Sequence, residues 1–365
     1  MKNKKTILTS ATLLTFLIFL IWLSYATSLY NLIYANIIFK YYSLTFRYLF
    51  GWIPFALSEF IYIILFLGLG LVIIKQIKKQ FKLGRTKSML AVFLLLFNWT
   101  IGLVIFYQLI WGLNYQRTSI GYTLKLKKDS LTSEKLLELG HYFIQKTNEL
   151  APYSDKLNDY DFNTLKQETI TNYKQLASLN PQFTYKGVSI KETPLPSFWS
   201  NLGIEGYYNP VTAEANVNNQ IVPWIKPFVM SHEVGHQFGI AYEDEANLLG
   251  YVASIQSSKP EILYAANYSM LRYVLLEIAY KLPTEYPKLY EKLNTKTQSH
   301  FKKESDFWKK YNAQMSQFMS LTFDNFLKMN KQDAGIKSYS LIIYWLWDIH
   351  KNEMFAPNIP DFPGI

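Results

Sequence analysis

Two of the five histidines in this 365-residue chain lie four residues apart, in the segment SHEVGH at 231–236. Residues i and i+4 of a helix share one face, so the two imidazoles can reach one metal ion while the intervening glutamate projects beside it. Two neutral imidazoles, one carboxylate and an open position for water suit zinc. The spacing predicts one Zn²⁺ ion bound by His232 and His236, with Glu233 as the catalytic base. The alternative is a pair of histidines on the surface of an ordinary helix.

The third metal ligand is expected among three consecutive carboxylates that follow, in YEDEAN at 242–247. A metzincin-like site would have histidine at position 242, where Tyr242 stands. Glu243 and Glu245 point to different sides of a helix, so one of them is the expected ligand. Glu243 shares a helical face with Asn247 and is the first candidate, while Glu245 is the alternative ligand or an orienting group. Asn247 can hydrogen-bond a ligand imidazole.

The pattern HExxH at 232–236, followed by ExxAN at 243–247, resembles the gluzincin metallopeptidases, and especially their membrane-anchored members. In that family the glutamate of the second motif is the third zinc ligand, so the resemblance implies this role for Glu243. Six residues separate His236 from Glu243 here, which is fewer than most gluzincins have.

Nearly the whole chain is also similar to an uncharacterised bacterial family of membrane proteins, domain of unknown function 3810. The similarity is carried by WGLNYQR at 111–117, GYYNPVTAEANVN at 206–218 and the stretch 231–253. It implies a membrane-protein topology and no established reaction.

The formal net charge of +10 lies entirely in the N-terminal third of the chain. Residues 1–113 contain eleven basic residues and one acidic residue, whereas 114–365 contain 26 of each sign. The first region also contains three stretches long enough to cross a bilayer, at 6–25, 53–74 and 88–113. We therefore predict a membrane anchor over 1–113 and a domain with the chemistry over 114–365. This charge distribution argues against a nucleic-acid partner, and the absence of cysteine excludes thiol catalysis.

Basic residues flank the predicted spans on one side. Three lysines precede the first span, and six basic residues lie in the loop 75–87 between the second and third. By the positive-inside rule this side faces the cytoplasm, which places the C-terminal domain of a multi-pass cell-membrane protein outside the cytoplasm. A fourth span over the aromatic segment 28–50 would bury Lys40 in the bilayer, so we interpret this segment as interfacial or re-entrant. The first span is also compatible with a cleaved signal sequence.

The C-terminal region predicts a domain of the α+β class that is mostly α. Helices are expected from Ser130 or Thr132, over about 163–178, and from about 258–260. Short strands are expected near 183–191, 204–208 and 213–218. The predicted architecture is three transmembrane helices followed by a gluzincin-like zinc-peptidase domain, with a small β-sheet before the HExxH helix.

The strands before the metal-binding helix are the expected substrate site, since 204–208 or 213–217 can pair with an extended peptide. The alternative is a hairpin that only packs on the helix. Candidates for stabilising the oxyanion are Tyr207, Tyr208, Arg272 and Tyr339. Together these features predict a membrane-anchored zinc metallopeptidase that acts on a peptide or protein. The alternative function is a non-catalytic receptor or scaffold with a structural metal site.

Overall fold

The computed structural model describes residues 2–81, 85–128, 130–311 and 313–351; residues 82–84 of the predicted basic loop lie outside this set. The described chain is mostly helical, with one three-stranded sheet. It contains three helices apolar and long enough to cross a membrane, over Thr6–Tyr25, Ser58–Lys79 and Met89–Ile110. The N-terminal third consists of α1 (Lys2–Tyr25), α2 (Thr27–Tyr30), a π-helix (Asn31–Phe39), α3 (Lys40–Phe50), α4 (Ser58–Gln80) and α5 (Arg85–Ile110).

The three predicted apolar spans are confirmed as helices, although two of them have different ends. The second begins at Ser58 rather than near 53, because Phe55 is extended and forms a parallel β-bridge with Glu192. The third ends at Ile110 because the backbone of Trp111 leaves the helical region, with φ of −148°.

The segment 27–50, which we call the helical arm, packs on the C-terminal part of the chain. The hydroxyl of Tyr42 donates to the carbonyl of Pro210 at 2.7 Å. Ser43 donates to the carbonyl of Gln237 at 3.0 Å. The helical arm is not among the helices that are long and apolar enough to span a membrane. It lies against the end of the helix that carries the HExxH motif.

Side-chain caps explain where the first long helices of the C-terminal part begin. Thr132 accepts from the backbone N–H of Lys135, and Asp161 accepts from that of Thr164, as N-caps do. These helices confirm the predictions made for this region.

The α-helices are α6 (Ile120–Thr123), α7 (Ser133–Leu150), α8 (Phe162–Leu179), α9 (Pro196–Asn201), α10 (Lys226–Gln237), α11 (Glu243–Ser254), α12 (Pro260–Lys281), α13 (Tyr286–Tyr290), α14 (Thr295–Lys309), α15 (Ala313–Met329) and α16 (Ile343–Lys351). Short 3₁₀-helices are Gly112–Gln116, Ala151–Asn158, Pro181–Phe183 and Gly335–Ile342.

The strands are β1 (Ile190–Glu192), β2 (Gly206–Asn209) and β3 (Glu214–Val217), in the order β1-β3-β2. The central strand β3 is parallel to β1 and antiparallel to β2. The strand expected near 183–191 is short because Gly187 turns the chain with φ of +62°. Both edges of β3 are paired, so an extended substrate cannot pair with 213–217. Within the described chain, β2 pairs on one side only.

Helices α10 and α11 approach each other closely because small residues face each other. A Cβ added at Gly235 would lie 3.4 Å from the carbonyl oxygen of Ala246. A Cβ added at Gly250 would lie 3.0 Å from the backbone nitrogen of His232, which is tighter than ordinary van der Waals contact. The two glycines therefore set how near α11 comes to the two histidines.

His300 lies in the aromatic core of the C-terminal part. Its ring stacks on Trp224 at 3.9 Å, and the hydroxyl of Tyr264 contacts Nδ1 at 2.6 Å. Burial lowers the pKa of His300 to about 4, and the nearby Lys296 and Lys303 act in the same direction. The folded protein therefore holds this ring neutral at a pH where an unfolded chain would protonate it.

We expect the free energy of unfolding to decrease as the pH falls, because His300 becomes protonated in the unfolded chain while it stays neutral in the folded protein. An unfolded histidine titrates near 6.5, so the contribution of His300 is complete above that pH and is lost as the pH falls toward 4. We expect a loss of about 1–3 kcal/mol, allowing for solvent screening. Denaturant titrations of the full-length protein in detergent at several pH values measure it. His300→Gln should show a smaller loss over this window, and an unchanged loss would contradict the assignment.

Candidate metal centre

The two histidines of the HExxH motif lie near the C-terminal end of α10, and Glu243 is the first residue of α11. The Nε2 atoms of His232 and His236 are 3.1 Å apart. Oε2 of Glu243 lies 3.2 Å from the first and 3.5 Å from the second. His232, Glu233 and His236 form a buried group whose ligand atoms lie within 4.8 Å of one another and could hold a metal ion. Two imidazoles and two carboxylates therefore converge between the helices.

His236 is oriented by the turn that follows its helix. Its Nδ1 lies 2.6 Å from the carbonyl oxygen of Ile240, which can only accept, so Nδ1 carries a proton. Gly239 makes this turn possible with φ of +82°, a left-handed conformation that favours glycine. In the neutral ring, the lone pair of Nε2 therefore faces the centre. The Ile240 carbonyl was not predicted as a partner of His236, although the glycine after the helix is its signal in the sequence.

His232 is oriented by a side chain from α11. Its Nδ1 lies 2.8 Å from Oδ1 of Asn247. The amide of Asn247 is held in this orientation because its Nδ2 donates to the carbonyl of Tyr339 at 2.9 Å. The neutral ring of His232 thus also points an unprotonated Nε2 at the centre, as outer hydrogen bonds do for histidine ligands.

Three electron-rich atoms meet at the centre: two Nε2 atoms and Oε2 of Glu243. When both rings are neutral, their lone pairs repel each other unless a cation lies between them. Burial lowers the pKa of His236, but the carboxylates of Glu243 and Glu233 outweigh that effect and raise it. Burial raises the pKa of Glu243, and the two histidines outweigh it and lower the value. The centre therefore stabilises positive charge, as a metal site must.

Glu233 lies beside the three converging atoms and faces β2. A Cβ at Gly206 would lie 2.8 Å from Oε1 of Glu233 and 2.8 Å from Cγ1 of Val229, so the strand can come this close only without a side chain there. Oε2 of Glu233 accepts no hydrogen bond from the residues that the structure describes. Burial raises the pKa of Glu233 to about 7, which makes it able to hold a proton near neutral pH.

The other two carboxylates of α11 turn away from the histidines. Glu245 accepts from the backbone N–H of Ile120 at 3.2 Å. Asp244 pairs with Nζ of Lys128 at 3.1 Å. Of the two candidates for a third ligand, the structure brings Glu243 to the histidines and places Glu245 elsewhere.

Two of the predicted oxyanion residues flank the histidine rings. The ring of Tyr339 stacks on His232, with centroids 6.1 Å apart. The ring of Tyr208 lies 6.3 Å from that of His236. Trp111, at the end of the third span, packs 4.9 Å from Tyr208 and edge-on to His236. Trp111 was not among the residues predicted for the site.

The other two predicted residues make strong contacts away from the histidines. The hydroxyl of Tyr207 donates to Glu59 at 2.7 Å. Arg272 pairs with Glu205 at 2.7 Å and with Glu304 at 2.8 Å. Both residues still line the cavity described next.

A cavity of about 690 Å³ lies against the candidate metal centre. His232, Glu233, His236 and Glu243 form one part of its lining, and β2 forms another. The remaining lining includes Tyr62 of α4, Tyr107 of α5 and the inner face of α15. The sequence has no motif that predicts this position of α15, because tertiary packing alone places it on the cavity.

Metal analysis of variants should show whether Glu243 or Glu245 is the third metal ligand. The purified full-length protein should bind one divalent ion per chain, measured by plasma mass spectrometry after dialysis. His232→Ala and Glu243→Gln should lose it, and Asn247→Ala should weaken affinity by about 10–100-fold by freeing a ligand ring. Glu245→Gln is the matched control, since it alters a buried carboxylate two residues away. Loss of the ion in that variant but not in Glu243→Gln would contradict this geometry.

Comparison with known proteins places the chain in a family. No curated protein and no solved structure matches it. A family described as protein of unknown function (DUF3810) matches residues 34–347. The match extends from the helical arm through the second and third apolar helices to the sheet, the metal centre and α15. Because it covers most of the chain, the protein belongs to the DUF3810 family.

Proposed function

We propose that this protein is a membrane-anchored zinc-dependent hydrolase that cleaves peptide bonds. The observation that carries the proposal is the convergence of two Nε2 atoms and one carboxylate oxygen, with Glu233 beside them, on the wall of a large cavity. This combination is the minimum that metal-assisted hydrolysis of an amide requires.

The spacing of the three atoms supports zinc in particular. Ligands at about 2.0–2.1 Å from a tetrahedral zinc ion lie roughly 3.3 Å from one another. The distances between the two Nε2 atoms and Oε2 of Glu243 are 3.1, 3.2 and 3.5 Å. Two imidazoles and one carboxylate also leave the fourth position open to the cavity. This is the ligand set of catalytic rather than structural zinc sites.

Each residue of the centre has a distinct task in the proposed reaction. A zinc ion bound there would supply Lewis acidity, which eases the deprotonation of water and polarises the substrate carbonyl. Glu233 would accept the proton of the attacking water on a carboxylate oxygen and pass it to the leaving amine. Tyr339 and Tyr208 flank the histidines and are the candidates that remain for a hydrogen bond to the developing oxyanion.

Strand β2 supports a polypeptide as the substrate. Its residues Gly206, Tyr207 and Tyr208 line the cavity, and within the described chain β2 pairs only with β3. An extended peptide that pairs with the other edge would pass in front of Glu233, because Gly206 lies directly against that carboxylate. Main-chain hydrogen bonds would then hold the substrate without requiring one particular sequence.

The basic residues at one end of each apolar helix support an orientation of the chain across the membrane. The C-terminal end of α1, the N-terminal end of α4 and the C-terminal end of α5 contact the C-terminal domain: Lys331 lies over Tyr25, Glu214 accepts from the N–H of Ser58, and Tyr107 donates to Asn330. The basic end of each of these three helices is the end that faces away from the C-terminal domain. By the positive-inside rule, the domain with the metal centre lies outside the cytoplasm.

Single cysteines test this orientation, since the native chain has none. Ser305→Cys on α14 should react with a membrane-impermeant maleimide in intact bacterial spheroplasts. Lys79→Cys, at the basic end of α4, should react only after the membrane is permeabilised. The opposite pattern would place the domain in the cytoplasm.

Glu233→Gln should retain the metal ion and lose hydrolysis by about 10²–10⁴-fold, because the amide cannot accept the proton of the attacking water. Mass spectrometry of a peptide pool incubated with the full-length protein measures product formation. Glu245→Gln is the control and should cleave the pool as the native protein does. Full activity of Glu233→Gln would refute the mechanism. A native protein that holds metal but cleaves no member of the pool would favour the scaffold function.

A further inference from the structure

Two elements beside the cavity expose large apolar side chains to the outside. On α15, Phe318 is 63% exposed and Leu321 is 60% exposed; at α9, Phe198 is 54% exposed. We call this surface the apolar rim, and it consists of Leu195, Phe198, Met315, Phe318 and Leu321. Exposed apolar side chains grouped on two neighbouring elements are typical of a surface that contacts a protein, a membrane or a ligand.

Both elements of the apolar rim are attached to ends of the apolar helices. Tyr107, in the last turn of α5, donates to Asn330 at 2.7 Å, just after α15. Trp199 of α9 donates to Glu59, in the first turn of α4, at 2.8 Å. Both elements of the apolar rim are thus joined to ends of helices that are apolar enough to span a membrane.

The absence of charged side chains from residues 314–323 of α15 suits contact with lipid better than contact with water. Residues 314–323 contain no charged side chain, whereas the preceding helix α14 contains six. The outer face of α15 exposes Met315, Phe318 and Leu321 beside uncharged polar side chains, and the inner face lines the cavity. A helix of this kind, next to helices apolar enough to span a membrane, has the character of an interfacial helix.

The inner faces of the same two regions line the cavity of the metal centre. Ser316, Met319 and Phe323 do so on α15, and Gly203 and Ile204 do so directly after α9. The cavity is also lined by the ends of α4 and α5. The apolar rim therefore borders the same cavity that reaches the histidines.

We propose that the apolar rim lies in the interfacial layer of the bilayer, and that the cavity receives its substrate there. The substrate class is the extended segment of a membrane-anchored polypeptide immediately beside its anchor. The placement of the rim stands on its own, whereas the substrate class rests on the proposed function.

Site-directed spin labelling tests the placement without any need for activity. Phe318→Cys and Leu321→Cys are labelled with a nitroxide in the full-length protein, reconstituted in vesicles of phosphatidylcholine and phosphatidylglycerol. Thr171→Cys on the charged helix α8 is the matched control. The two rim labels should collide more with oxygen, and less with a water-soluble nickel chelate, than the control does. Equal access of the nickel chelate to rim and control labels would overturn the placement, and two rim positions guard against one variant that misfolds.

Paired substrates test the substrate class. One pool of random octapeptide segments is free in solution, and an identical pool is joined by a short linker to a transmembrane helix in the same vesicles. The anchored pool should be cleaved at least about 10²-fold faster at equal bulk concentration, as tethering predicts. Equal rates would overturn the inference while leaving the proposed function intact. Cleavage of neither pool would refute the proposed function, and the spin labels would still decide the placement.

Discussion

The geometry of the centre depends on how closely α10 and α11 approach each other. Gly250 packs against the backbone of His232, and Gly235 packs against Ala246, so no side chain separates the two helices at the level of the histidines. Glu243 and Asn247 lie on the face of α11 that this contact presents to α10. The Glu243 carboxylate therefore reaches both Nε2 atoms, and the Asn247 amide oxygen reaches Nδ1 of His232. A larger residue at either glycine would move the carboxylate and the amide together, since both belong to one rigid helix.

The second apolar helix, α4, contributes to the same construction. Glu214 of β3 accepts from the N–H groups of Leu57 and Ser58 at the start of α4 and pairs with the buried Lys191 at 2.8 Å. The helix dipole and the lysine together compensate a fully buried carboxylate. Glu59, in the first turn of α4, accepts from the side chains of Thr193, Trp199 and Tyr207. The sheet that borders the cavity is thus held on the end of an apolar helix, and this helix and the candidate metal centre form one structural unit.

Local signals in the sequence predicted a large part of this arrangement. The i, i+4 spacing of the histidines, the three apolar stretches and the capping residue Thr132 act over a few residues, so they are readable without the fold. The start of α4 at Ser58 was not predicted, because it depends on pairing between Phe55 and Glu192, which are distant in sequence. The position of α15 on the cavity was not predicted either. Its residues carry no motif, and only tertiary packing places them there.

We propose that two imidazoles and the Glu243 carboxylate hold one zinc ion. X-ray absorption at the zinc edge on the purified full-length protein tests it most directly. We expect a first shell of nitrogen and oxygen atoms at about 2.0–2.2 Å, with the outer-shell scattering of two imidazole rings. In Glu243→Gln, any zinc that remains should keep both rings and lose one first-shell oxygen. A native protein that lacks stoichiometric zinc, or whose zinc shows no imidazole scattering, would contradict this zinc site.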